Sequence, residues 1–241
     1  MLFRLLKAER MKLKRSPVWL AFLIMPIIPA FLGTANYVYN QGVLTKEWIS
    51  LWTQHTLFTD YFFLPIMLGV YCAYIMRLEY ANHNRNKLFT IPASRAAIFL
   101  SKLITAAVML VLSEIWICAL FVISGHIVGL ENPPWGTIAA WCVFGTLGGM
   151  VTVSIQILFS MFLKSFALPV GISFAGGLSG LVFLAKHLGH IWPYSLMSYG
   201  MNANAPQELT QTGYAGFVIV CTAYIAIFTF IGAVIASRMD I

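Results

Sequence analysis

The chain has 241 residues, 60% of them apolar and 10% charged, where an ordinary soluble domain carries about 25% charged residues. Several runs of roughly 18 or more apolar residues exclude a soluble domain and predict an all-α, polytopic membrane protein. The net charge of +7 suggests a nucleic-acid partner until its distribution along the chain is examined.

Residues 1–15 predict a basic amphipathic interfacial helix. At about 100° per residue, Leu2, Leu5, Leu6 and Leu13 share one side, and Arg4, Lys7, Lys14 and Arg15 the other. Glu9 and Met11 break the pattern. Such a helix either lies in the inner headgroup layer or is a plain positive anchor. The charged opening is long and no small-residue cleavage site follows the first span, so no cleavable signal peptide is expected.

Six spans follow, at about 17–38, 57–76, 97–124, 137–163, 166–185 and 214–236, and together they make one transmembrane domain over 1–241. Pro26 and Pro29 should kink or break the first span. The second and third are separated by the one long polar stretch that is also basic, with Arg77, Arg85, Lys87, Arg95 and Lys102 against Glu79. Within it, residues 79–88 could form a short polar helix, Pro92 follows, and Ser94 is placed to cap the third span. The connection at 125–136 is short and holds Pro133 and Pro134. The last connection, 186–213, contains HIWPYSLMSYGM, apolar yet too short to span, which predicts re-entrant or interfacial helices around Trp192, Pro193 and Tyr194.

Charge sets the orientation. With the N-terminus inside, inner segments hold thirteen of the fifteen Lys and Arg for a net of +10. Outer segments hold Lys46 and Lys186 against Glu47, Asp60, Glu131 and Glu208, a net of −2. Both termini are expected to be cytoplasmic. The basic excess is thus a topological signal, and nucleic acid is not an expected partner. Tyr37, Trp48, Trp52, Trp135, Trp192 and Tyr214 cluster at outer ends as an interfacial belt would.

No phosphate-binding loop of the form GxxxxGK[ST] is present, and no nucleophile has an evident base. Residues 175–181 (AGGLSGL), like Gly145, Gly148 and Gly149, read as small residues allowing close helix contact. Cys72, Cys118, Cys142 and Cys221 all lie in apolar runs and read as free buried thiols. His187 and His190 have a spacing that suits a metal but lack a third ligand, so no metal site is expected. Glu114 lies within the third span, where an acid costs about 2.5–3.5 kcal/mol on insertion scales. It is either part of a substrate or proton path, or hydrogen-bonded to Ser113, Ser154 or Gln156. Gln156, in the fourth span, is the natural polar partner.

Three stretches together carry a family resemblance: LLKAERMKLKRSPVWL (5–20), the inner loop with Glu79 followed by KLFTIPASRAAIFLSK (87–102), and IWPYSLMSYGM (191–201). The chain resembles the permease subunits of type 2 ATP-binding-cassette transporters, and more narrowly the lantibiotic-immunity permeases that confer resistance to antimicrobial peptides. The resemblance implies a non-enzymatic transport subunit in a bacterial plasma membrane, with ATP and Mg bound by a separate ATPase present in two copies. It implies that the inner loop forms a coupling helix docking on that ATPase, with Glu79, Asn82, Asn84, Arg85 and Lys87 as docking residues. It further implies a second, different permease chain and a membrane-embedded amphipathic peptide as substrate, expelled to the outside. The alternatives are export of another amphipathic substrate or ion, or a proton- or ion-coupled carrier built on Glu114.

Overall fold

Pro26 divides the first span. The computed structural model describes residues 1–80, 93–163, 165–203 and 213–238. Helix α1 (Leu2–Leu13) is followed by α2 (Val18–Ile24) and, after a break at Met25 and Pro26, by α3 (Ile27–Tyr39). Ser16 Oγ accepts from Val18 N at 3.2 Å and starts α2. Trp116 Nε1 donates to Leu23 O at 3.2 Å, so a neighbouring helix satisfies a carbonyl beside the break.

The second span is longer than the sequence predicts. It begins at Glu47 rather than near residue 57, running through α4 (Glu47–Phe58), a π-helical turn at Thr59–Phe63 and α5 (Leu64–Tyr80). The polar residues of α4 depress its hydropathy, but the bundle buries Ser50, His55 and Thr56: His55 is 1% exposed and meets Thr34 Oγ1 at 3.0 Å. Asp60, counted with the outer segments on sequence, sits in the π turn and is fully buried. That correction leaves outer acids still outnumbering outer cations. Helix α6 (Arg95–Ile127) starts at Ser94, whose Oγ accepts from Ala97 N at 3.2 Å as its position predicts. Helices α7 (Trp135–Phe162), α8 (Ala167–Ala185) and α10 (Tyr214–Arg238) complete six helices long and apolar enough to cross a membrane. The architecture is all-helical among the described residues.

Residues 186–203 start exposed at 186–188 and turn back into the bundle from Tyr194. They pass through turns into the short helix α9 (Leu196–Gly200), whose Leu196, Met197, Ser198 and Tyr199 are all buried. Glycines admit this segment. A Cβ on Gly148 of α7 would lie 2.2 Å from Leu196 O, and one on Gly176 of α8 would lie 2.4 Å from the Tyr194 ring. Gly177 makes room for Pro65 in the same way, so both glycine groups act as the close-contact surfaces expected from sequence. At the α3/α4 end, Trp52 stacks on Trp141 at 4.7 Å between ring centres and donates from Nε1 to Met201 O at 2.8 Å. The four cysteines are free thiols.

Gly148→Ala should lose about 1–3 kcal/mol of stability through overpacking. Gly171→Ala, where an added Cβ meets open space, should gain up to about 1 kcal/mol from helix propensity. Thermal unfolding of the two variants in detergent, followed by circular dichroism, distinguishes close packing from a general dislike of larger side chains.

Candidate functional site

Two polar regions stand out in an otherwise apolar molecule, one at the basic end of the bundle and one in its interior. At the basic end, α1 packs along α6 and turns Glu9 inward. Glu9 is the residue that interrupts the amphipathic pattern of α1, and the structure supplies its reason. Lys12 Nζ lies 3.0 Å from Glu9 Oε1, and Lys102 Nζ lies 3.1 Å from the same oxygen. Both lysines also reach Glu79 Oε1, Lys102 at 2.5 Å and Lys12 in a short contact. Two acids and two bases therefore form one neutral cluster. Burial works against the charged form of Lys12, but Glu79 and Glu9 outweigh it and hold its pKa above the ordinary lysine value.

The positions of these residues matter more than the pairs themselves. Glu79 stands at the end of α5 and Lys102 near the start of α6, so they flank the basic loop on either side. Glu9 and Lys12 bring in α1. The cluster thus clamps three elements at the root of that loop. Glu79, expected as a docking residue, is 4% exposed and turned into this cluster. It anchors the root of the loop and presents little surface of its own. The other expected docking residues, Asn82, Asn84, Arg85 and Lys87, lie outside the described residues. Arg77, two residues before Glu79, stacks over the Phe166 ring at 5.7 Å and ties the same region to the start of α8.

In the interior, Glu114 and Gln156 are both fully buried, but they do not pair. The Gln156 oxygen accepts from Tyr194 Oη of the connection after α8 at 2.8 Å and from Ser173 N of α8 at 3.2 Å, and its nitrogen donates to Pro169 O of α8 at 3.1 Å. Every polar atom of that side chain has its partner on the α8 side, so Glu114 finds none there. Among the described residues neither Glu114 oxygen has a hydrogen-bond partner, nor has either oxygen of Asp60. Ser113, another expected partner, instead meets Tyr71 Oη at 3.1 Å. Ser154 Oγ is spent on Met150 O at 2.8 Å.

The outer segment is organised by its aromatics. Trp192 stacks on Phe183 at 4.5 Å between centres and donates to Ser179 Oγ at 2.9 Å, while Tyr194 rests against Gly176 and reaches Gln156. Pro193 lies between these two anchors. His190 faces Tyr199, and among the described residues no three His, Cys, Asp or Glu side chains group as metal ligands.

Glu79→Ala should cost about 3–5 kcal/mol, because it leaves a buried lysine charge short of its partner. Glu79→Lys combined with Lys102→Glu should recover part of the loss. Unfolding midpoints of the two single variants and the exchange variant form a cycle that measures the coupling.

These features belong to a described class. Residues 5–180 match the family of ABC-2 family transporter proteins, a span that takes in α1, the ion cluster and the basic loop. No curated protein matches the chain. In that family the chain is the membrane-embedded transport subunit, and ATP is hydrolysed by a partner ATPase. The protein is thus a multi-pass membrane permease that belongs to the ABC-2 transporter family.

Proposed function

We propose that the permease drives expulsion of a membrane-active, lantibiotic-like peptide from the membrane to the outside, giving immunity or resistance to it. ATP and Mg are bound on the ATPase partner and not by this chain. The observation that carries the coupling part of this reading is the ion cluster, because it makes α1, the end of α5 and the start of α6 a single mechanical unit at the root of the basic loop. A partner that grips residues 82–87 would pull on all three elements together. Thirteen of fifteen cations in the segments on the loop's side of the six spans support a cytoplasmic location for the loop and both termini, in the plasma membrane of a bacterium.

The peptide substrate rests on the resemblance of the stretches at 5–20, 87–102 and 191–201 to lantibiotic-immunity permeases. The large lipid-facing area supports a substrate taken from the membrane: Phe31, Val143, Ile219 and Phe230 are each more than 60% exposed in the single chain. The working complex would contain two ATPase copies and a second permease, different from this one.

A second reading is favoured by one observation, the unpartnered Glu114 and Asp60 carboxyls. An intramembrane acid without a partner is a functional hypothesis in itself, here a proton- or ion-coupled carrier.

The test has two arms. Arg85→Glu with Lys87→Glu should abolish co-purification of the ATPase while leaving membrane insertion unchanged. Cells carrying it should lose protection against the peptide. If the complex survives this change with full turnover, the coupling role of the loop is wrong. Glu114→Gln should keep ATP-driven protection, and a loss of transport with ATPase docking intact would favour the carrier instead.

A further inference from the structure

Helix α1 has two electrostatically different sides. One carries Glu9 and Lys12 and is neutralised by Glu79 and Lys102. The other carries Lys7, Arg10 and Lys14 at helical spacing, with Arg15 in the turn that follows. None of these four cations has an acidic partner among the described residues. They rim a groove of about 720 Å³ between α1 and α6.

The floor and far wall of that groove are apolar. Met11, Trp19, Val108 and Leu112 line it, and Met11 and Val108 are more than half exposed, so the groove opens outward from the bundle. Its α6 wall runs from Ile104 to Leu112, about 12 Å of helix at 1.5 Å per residue. That is most of the roughly 15 Å hydrocarbon half-thickness of a bilayer. The cations all come from α1 and the turn after it, and the apolar wall is part of the third span.

We propose that this groove is a binding site for an anionic phospholipid, whose phosphate is held by Lys7, Arg10, Lys14 and Arg15 and whose acyl chain lies against Val108 and Leu112. Charge complementarity decides among occupants. Four unneutralised cations repel a cationic peptide, so the groove does not suit the proposed substrate. They attract the phosphate of an anionic headgroup, and arginine can hold it through two parallel hydrogen bonds. The apolar wall asks for a chain, which a soluble phosphate does not have. The site is separate from the proposed peptide transport and rests on the charge-based topology only for the choice of leaflet.

The full-length permease, purified in mild detergent, would be incubated with phosphatidylglycerol or phosphatidylcholine and the retained lipid counted by native mass spectrometry. Retention of phosphatidylglycerol over phosphatidylcholine is expected. Lys7→Gln with Arg10→Gln and Lys14→Gln should weaken it roughly tenfold or more, from the loss of three surface charges. Val108→Trp, which fills the groove at an exposed position and keeps every cation, should also lower retention. Both variants should unfold at the wild-type temperature, because neither touches the ion cluster. Equal retention of the two lipids, or no loss in the triple variant, overturns the proposal. A loss in the triple variant with none in Val108→Trp overturns the groove, leaving only diffuse attraction to the helix. Competition by inorganic phosphate as effective as that by the lipid would overturn the role of the acyl chain. If the triple variant instead loses the ATPase in the assembled complex while keeping its lipid, the cations belong to the protein interface and the proposal fails.

Discussion

The structure depends on a requirement that three charges withdrawn from water, on Glu9, Glu79 and Lys102, be neutralised where they stand, with the more exposed Lys12 completing the balance. Glu9, Lys12, Glu79 and Lys102 meet it through two shared carboxylate oxygens, each touched by both lysines. No pair can be separated without leaving a partner short, so the cluster holds as a unit. An ion cluster of this kind contributes little net stability over an apolar equivalent, since desolvation offsets most of its attraction. Its value lies in geometry. It fixes one face of α1 against α6 and sets where the chain enters and leaves the basic loop. The rest of the basic end, including Arg77 over Phe166, is built around that anchorage.

The opposite half of the molecule solves a different problem. A segment containing Trp192, Tyr194 and Tyr199 returns into the bundle, and its backbone must approach two long helices closely. Gly148 and Gly176 provide the space. Gln156 then answers the polar groups the segment brings with it, binding Tyr194 Oη and the backbone near Pro169 and Ser173. Close packing and hydrogen bonding thus act on the same segment from two helices. The interior acids remain outside this scheme. Glu114 is buried beside Gly145, and among the described residues neither its carboxyl nor that of Asp60 has a hydrogen-bond partner. Hydroxyls of Thr152, Ser160 and Ser198 share that lack of a partner, but a buried carboxyl is the costlier group to leave unpaired.

Much of this was legible in the sequence, for a physical reason. Where a span faces lipid, its apolar run is unbroken, and the predicted 166–185 differs by one residue from Ala167–Ala185. The second span was placed ten residues short at its start because α4 carries Glu47, Gln54 and His55. Of these His55 is buried, and its burial depends on neighbouring helices, not on the local run. Glu9 appeared as an irregularity in an amphipathic pattern, and that irregularity was itself the signal of a buried partner. Its distant partner Lys102 was not legible, because it lies 93 positions away. The Glu114–Gln156 pairing failed for a related reason. Both residues are polar and buried, but helix rotation decides which side each one faces, and hydropathy carries no information about rotation in a helix apolar all round.

The two sides of α1 also differ in how they respond to salt. Mobile ions screen exposed charges beyond a Debye length of about 8 Å at physiological ionic strength, but they barely reach buried pairs. The ion cluster, with Glu79 and Lys102 almost wholly enclosed, is therefore insensitive to ionic strength. The stripe of Lys7, Arg10 and Lys14 lies exposed on the other side and is fully subject to it. A rise in salt would weaken the hold of α1 on an anionic surface while its hold on the bundle stayed unchanged. One short helix thus belongs to the protein by a bond that salt does not reach, and to its surroundings by one that salt can tune.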